Sequence, residues 1–390
     1  MADSAPVSTS PAKASTAGSP TSKHPKSKSP TSAKSSPPKT SSPTAAGGRD
    51  EAQDLAAAHE AETTIEADPA LAGQGAGDDD DDEAYGSDDE ASRASTSVSS
   101  SVRDYTFENN RRYHKFREGR YHFPNDEPEQ EREDMKHAMI INMCNGRLNY
   151  APLENPQTIL DIGTGTGIWA IDMGDEYPEA EVIGIDLSPI QPAWVPPNVK
   201  FIVDDAETTW VWKPNSLDYI HIRHMTSSIR DWPTLISQAY TALKPGGWIE
   251  LQELRFVLGC DDDTLKPDDP VAGFLNNVKE GLAQFGVNLL AMEKNPDNVR
   301  QAGFTNVEER IFKVPLGVWP RNTKMKTVGL YNRSMIYDGL QGISMGPFTR
   351  GLKWSPEEVE LYLVGIRKAL HNSGVHSYLP FHVTIGQKPT

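Results

Sequence analysis

The sequence predicts an α/β layer fold, a mostly parallel sheet with helices on both faces, preceded by a long tail that stays outside it. Three observations carry this expectation. From Asn155 onward, short apolar runs alternate with helical stretches, the pattern of strands joined by crossover helices. The first of these runs ends in a glycine-rich turn that leads straight into a helix. Composition also breaks sharply: residues 1–100 hold one aromatic residue, Tyr85, with 8 Lys+Arg against 17 Asp+Glu, a net −9 of the chain's −17. Residues 101–390 hold every Trp and Phe.

A segment so poor in large apolar side chains cannot offset the entropy of ordering its backbone, so residues 1–104 read as a disordered tail. Its first part is rich in Ser, Pro and Lys. Ser-Pro steps at Ser19, Ser29, Ser36 and Ser42 suit proline-directed kinases, and the lysines from Lys23 to Lys39 suit a weak import signal, although a solvated linker is the plainer reading. The acidic block over residues 78–90 repels itself and stays extended. No apolar run reaches the roughly 18 residues of a membrane span, and the N-terminus has no apolar core of a secretion signal. Two cysteines, Cys144 and Cys260, form neither a disulfide framework nor a CxxC zinc site, which suits a reducing compartment. The acidic balance of the remainder argues against a nucleic-acid surface.

Order is expected from Tyr105. The upstream segment, residues 105–154, carries Tyr113, Phe116, Tyr121 and Phe123. It then opens a helix at Asn125-Asp126-Glu127-Pro128 that runs through Met135 and Met139 to Met143, with Pro and acids in the first turn. The main domain is expected over residues 155–390. Its strands read as 158–162, 181–186, 200–203, 217–222 and 248–251. Helices read as 168–177, stopped by Pro178, and as a run capped by Asp231-Trp232-Pro233 with Ile236, Ala239, Tyr240 and Leu243 on one side, ended by Lys244-Pro245-Gly246-Gly247. Cap insertions are expected near 261–300 and 320–355, with loop and helix in the first. A late strand follows at 307–314, then a helix started by Ser355-Pro356-Glu357-Glu358 as a capping box, and a last strand at 381–385.

The glycine turn, Asp161-Ile162-Gly163-Thr164-Gly165-Thr166-Gly167, lets the backbone bend sharply and a ligand approach the main chain. Two nucleotide cofactors compete for it. A dinucleotide needs a third small residue, and counting from Gly163 that position is the bulky Ile168. A carboxylate at Asp161 would also face a pyrophosphate unfavourably, whereas it would help to hold the cationic amino group of S-adenosylmethionine, directly or through water. Both features favour S-adenosylmethionine over NAD. Asp186, ending the second strand, is placed for the ribose hydroxyls, and Asp205 after the third for the adenine amine, with Asp204 or Glu207 as substitutes. The candidate cofactor-binding set is Asp161, Gly163, Thr164, Gly165, Gly167, Asp186, Leu187, Asp205 and Ala206.

Around these residues the chain resembles the fungal LaeA-like methyltransferases. The stretches that carry the resemblance are Asp161-Ile-Gly-Thr-Gly-Thr-Gly-Ile-Trp-Ala-Ile-Asp172, Val182-Ile-Gly-Ile-Asp186-Leu-Ser-Pro-Ile-Gln-Pro192, Trp194-Val-Pro-Pro-Asn-Val199, Asp218-Tyr-Ile-His-Ile-Arg223, Asp231-Trp-Pro233 and Leu243-Lys-Pro-Gly-Gly-Trp-Ile-Glu250. Upstream, Arg112-Tyr-His114, Arg117-Glu-Gly-Arg-Tyr121, Pro124-Asn-Asp-Glu127 and the set Glu131, Arg132, Asp134 and His137 match as well. The resemblance covers residues 105–390 and is densest over 105–255. It implies a seven-stranded class I methyltransferase fold that binds S-adenosylmethionine. For some members it also implies a regulatory role in secondary metabolism beside velvet-type proteins, in the nucleus, and for others a tailoring or developmental methyltransferase; nucleus or cytoplasm is the expected location.

Methyl transfer from a sulfonium is an in-line displacement that depends mainly on positioning. A hydroxyl acceptor gains from a general base, and Arg223, His224 and Glu253 at the strand ends are the weak catalytic candidates, each with an ordinary structural role as the alternative. Tyr121, His137, Trp319, Tyr331 and Tyr337 could line an acceptor pocket for a small molecule or protein side chain, though core packing is the commoner use of such residues. Asp261-Asp262-Asp263 lacks supporting ligands, so no metal is expected. An active methyltransferase and a cofactor-binding regulatory subunit with little turnover are the two function classes, with an oxidoreductase a distant third.

Overall fold

The computed structural model describes residues 64–71 and 105–390. The Ser-Pro steps, the lysine run, Tyr85 and the acidic block lie outside the described residues. Eight strands form one sheet, in the order β5-β4-β3-β6-β7-β10-β8 with β9 paired to β10. The strands are β3 (Thr158–Ile162), β4 (Glu181–Asp186), β5 (Val199–Val203), β6 (Leu217–Arg223), β7 (Leu243–Leu254), β8 (Gly259–Cys260), β9 (Thr305–Pro315) and β10 (Ser377–Gln387). β3 to β7 run parallel, while β10 is antiparallel to β7, β8 and β9. Seven strands are long and β8 has two residues, so the expected seven-stranded, mostly parallel sheet is present.

Helices cover both faces. One apolar core joins the sheet to α1 (Glu127–Met143), α2 (Ile168–Glu176), α4 (Pro270–Ala283), α6 (Thr323–Met345) and α7 (Pro356–Leu370). The other packs α3 (Trp232–Ala242) and α5 (Asn295–Gln301) beneath Leu160, Ile162, Ile220 and Ile222. The sequence cues mark true helix starts: Asp126 caps α1, Asp231 caps α3, and Ser355 with Glu358 forms the capping box of α7.

Three features differ from the sequence reading. A hairpin, β1 (Tyr105–Glu108) and β2 (Arg111–His114), precedes α1 and is fastened to it by Arg111, whose guanidinium reaches both oxygens of Asp126 at 2.6 and 2.8 Å. β7 begins at Leu243, so Lys244-Pro245-Gly246-Gly247, read as a helix stop, already belongs to the strand. The 23-residue α6 fills the region read only as a cap insertion. Its apolar positions are diluted by Lys, Arg, Asn and three glycines among them, a pattern too mixed to announce a helix.

Residues 64–71 correct the tail assignment. Ala67 bridges Pro320, the Asp68 amide donates to the Trp319 carbonyl at 2.7 Å, and the Arg321 amide donates to the Glu66 carbonyl at 2.7 Å. Lys326 pairs with Asp68 and holds its carboxyl below the usual range. A chain beginning at residue 72 is therefore expected to melt about 2–4 °C below one beginning at residue 60, with equal cofactor affinity by calorimetry.

Candidate active site

Strand order reverses between β3 and β6, because β3 leads to β4 on one side while β6 and β7 extend the sheet on the other. Ligands of open α/β sheets bind at such a point, beyond the carboxyl ends of the strands. A cleft opens there. Its cofactor-side lining includes Gly163, Gly165, Asp186, Leu187, Asp205, Ala206, Arg223 and His224, eight residues singled out from sequence.

Local bonds set each group. After β3 the turn uses positive φ at Gly163 (71°), Gly165 (57°) and Gly167 (85°), a region open to glycine and strained for other residues. The Asp186 carboxylate accepts from the Gly165 amide at 2.9 Å and from the Ser188 amide at 2.8 Å, joining the ends of β3 and β4. Gln191 completes this joint by donating to the Gly165 carbonyl at 2.6 Å. Burial pushes the Asp186 carboxyl up to about 6, against the pull of the two amides. Asp205 is 5% exposed; Oδ1 accepts from the Glu207 amide at 3.0 Å, while Oδ2 has no hydrogen-bond partner.

These residues fit an adenosyl ligand. Asp205 Oδ2 stands 3.4 Å from Arg120 Nε but makes no hydrogen bond, and an exocyclic amine would satisfy it. At Gly165, an added Cβ would meet nothing within 4 Å of protein, so the space beside it is free for a ligand. Gly165→Val strains the left-handed backbone at this position and is expected to melt a few degrees lower while keeping a native circular dichroism spectrum at about 25 °C. Its side chain fills that space and lowers S-adenosylhomocysteine affinity at least a hundredfold, about 3 kcal/mol.

Four of the sequence-predicted residues stand outside the lining. Asp161 is 2% exposed and lies beneath the turn, where it accepts from Thr164 Oγ1 at 2.6 Å and pairs with His221 Nδ1 at 2.7 Å. Its charge acts on the cleft through the turn, and not by contact: it raises the Asp186 carboxyl and steadies the charge of Arg223. Thr164 is thus a brace for Asp161. Gly167 is kept small by packing, since a Cβ there would sit 2.4 Å from the Phe201 ring. Glu253 holds the turn after β6, accepting from the Met225 amide at 2.8 Å and from the Thr226 amide and hydroxyl at 3.2 and 2.7 Å; burial pushes its carboxyl up to about 7.

Of the acceptor-pocket aromatics, Tyr121 lines the cleft. His137 stands behind Arg223, its Nδ1 accepting from Arg223 Nη2 at 2.9 Å. Trp319 donates to the Ser377 carbonyl at 3.0 Å, Tyr331 packs against the core, and Tyr337 rests on His371. Asp261 engages Lys313 and Tyr378, and Asp262 engages His376; no metal-binding cluster occurs among the described residues.

The sequence reading missed the remaining walls. Glu129, Arg132, Glu133 and Lys136 line one side from a single face of α1. Arg132 pairs with Glu129 and Glu133, and Lys136 with Glu133 at 2.5 Å. The signal was their helical spacing, which ordinarily marks a solvated face. Arg120 crosses the mouth, 3.4 Å from Asp205 and 3.3 Å from Glu207. The far end is apolar, floored by Phe274, Val278 and Leu282 of α4, by Met335 and Ile336 of α6, and by Phe256.

Residues 135–268 match a family model described as a methyltransferase domain. The chain is 43% identical over 296 residues to methyltransferase pytC of Aspergillus terreus, across 75% of this chain and 91% of that one. It is 38% identical over 290 residues to the secondary metabolism regulator LAE1 of Cochliobolus heterostrophus, across 72% and 94%. It is 32% identical over 285 residues to the protein-methionine methyltransferase laeA of Emericella nidulans, across 72% and 76%.

Proposed function

The chain belongs to the LaeA-like methyltransferases, S-adenosylmethionine-dependent enzymes, and from that premise we propose that it methylates a small, largely apolar molecule held at the far end of the cleft. The observation that carries this reading is the continuity of the cleft: the acid-tipped strand ends and the apolar floor of α4 and α6 line one space. The cofactor supplies an electrophilic methyl group. The protein's task is then to hold two ligands in line and to exclude water.

Asp186 serves the ribose hydroxyls, Asp205 the adenine amine, and the backbone at Gly165 allows close approach, while Gly163 is kept small by Met225, whose sulfur lies 2.1 Å from where a Cβ would stand. His224 sits at φ 57° where the cofactor end meets the apolar end, and its buried Nε2 has no partner. Burial, with Lys136, Arg223 and Arg132 nearby, keeps this imidazole neutral, so it accepts a hydrogen bond from the acceptor's hydroxyl or amine. The decisive experiment is titration with S-adenosylhomocysteine, followed by incubation of the protein with labelled S-adenosylmethionine and fungal extract. Label in the organic-soluble small-molecule fraction supports the reading, and label confined to protein overturns the acceptor class.

A second reading, a cofactor-binding regulator with little turnover beside velvet-type partners in the nucleus, draws on the relative named as a regulator. It predicts that Gly165→Val, though unable to take the cofactor, still captures its protein partners.

A further inference from the structure

We infer that Arg223 is the carboxylate receptor of the cleft, held in place by a His137–Asp172 pair that reaches the surface. The inference rests on the cofactor-cleft reading above. Four cations line the cleft, and three have carboxylate partners: Arg120 with Glu207, Arg132 with Glu129, and Lys136 with Glu133. Arg223 has none in ion-pair range among the described residues. Its Nη2 donates to a neutral imidazole nitrogen, His137 Nδ1, at 2.9 Å, and its Nη1 is buried with no hydrogen-bond partner. A guanidinium stays charged even when desolvated, and a buried cation with a free N–H is costly unless an anion meets it. A planar carboxylate fits such a donor best.

The His137 bond sets the chemistry of the pair. Nδ1 accepts from Arg223, so the ring proton must sit on Nε2, where it donates to Asp172 Oδ2 at 2.9 Å. Asp172 thereby fixes the tautomer that Arg223 needs, and does so from a half-exposed position on α2, outside the cleft lining. Protonation of His137 would put two donors face to face; burial, the largest influence on this imidazole, disfavours that state.

The carboxylate can come from the amino-acid end of the cofactor or from an acidic acceptor. Arg223 follows Ile222, which pairs with Ile162 next to Gly163, so it lies beside the glycine turn and favours the first source. Calorimetry separates the two. S-adenosylhomocysteine carries the carboxylate and 5′-methylthioadenosine lacks it. If the cofactor supplies the anion, Arg223→Gln weakens S-adenosylhomocysteine about thirtyfold and leaves methylthioadenosine within twofold. If the acceptor supplies it, both nucleosides bind as before, but octanoate binding to the S-adenosylhomocysteine-loaded protein is lost in Arg223→Gln. Arg223→Lys, which keeps charge without the planar fork, falls between.

Asp172→Ala weakens whichever ligand responds by about threefold to tenfold in the wild-type background and has no effect beside Arg223→Gln, a dependence that a merely structural role of Asp172 would not produce. Unchanged affinities for all three probes in a folded Arg223→Gln protein overturn the inference. Failure of the wild type to bind S-adenosylhomocysteine overturns the cofactor reading instead, and octanoate titrated into the unloaded wild type and Arg223→Gln proteins then decides the fate of Arg223, equal binding to the two overturning its role.

Discussion

Asp186→Ala is expected to weaken S-adenosylhomocysteine binding at least thirtyfold at pH 8, measured by calorimetry. The magnitude follows from two hydrogen bonds between ligand hydroxyls and a charged, buried acceptor, together about 2–3 kcal/mol. The carboxylate also receives the amides of Gly165 and Ser188, so its loss loosens the glycine turn as well as the ribose site. The pH dependence isolates the charge. Burial lifts this carboxyl to about 6, so the wild-type protein holds its full affinity above pH 7 and loses it as pH falls through 6, by up to tenfold per unit below that point. The contribution to folding has the opposite sign: a raised acid favours the fold while protonated and withdraws that support as pH rises through 6. Acid thus weakens the ligand at this residue while sparing the fold. Asp186→Asn should flatten the binding profile between pH 5 and 7; a profile in that variant as steep as the wild type's would show that another group titrates.

How far this site was legible in the sequence depends on the range of each interaction. The first two parallel strands, the glycine turn and the helix caps are written locally, in runs such as Asp161 to Gly167 and in Ser355 with Glu358, and these stand where the spacing placed them. Asp186 and Asp205 were also legible, since parallel strands in sequential order bring their carboxyl ends together. What stayed hidden depended on distant partners. Nothing near Asp161 in sequence tells that His221, sixty residues on, takes up its outer oxygen, or that Trp169 stacks on that imidazole at 3.6 Å. The charged face of α1 reads as a solvated surface until the hairpin and α6 close over it. Likewise the apolar floor of the cleft comes from α4 and α6, whose contact with the strand ends no local pattern announces.

The largest stability effect is expected away from the cleft, at Glu250. This carboxylate is fully buried in the middle of β7, in a polar row that crosses the sheet, Asp161 of β3 opposite His221 of β6, and His221 opposite Glu250. Four donors converge on it: the amides of Tyr150 and Ala151 at 2.8 and 2.9 Å, the Tyr219 hydroxyl at 3.0 Å and the Gln252 amide group at 2.7 Å. Through the two backbone amides it fixes the connector between α1 and β3 to the sheet, so the upstream segment that forms one wall of the cleft depends on it. Glu250→Ala removes an acceptor from four buried donors at once. At roughly 1 kcal/mol or more for each bond left unmade, the cost is about 4–5 kcal/mol, or a fall in Tm of about 8–15 °C. Glu250→Gln keeps the shape and one acceptor oxygen but turns an amine toward the donors, and should cost about half as much. Denaturant titration of both variants checks the order. Because Glu250 does not line the cleft, the fraction that remains folded should bind S-adenosylhomocysteine as the wild type does. A melting temperature within 3 °C of wild type in Glu250→Ala would mean that water reaches these donors, and that the connector is held by its apolar packing alone.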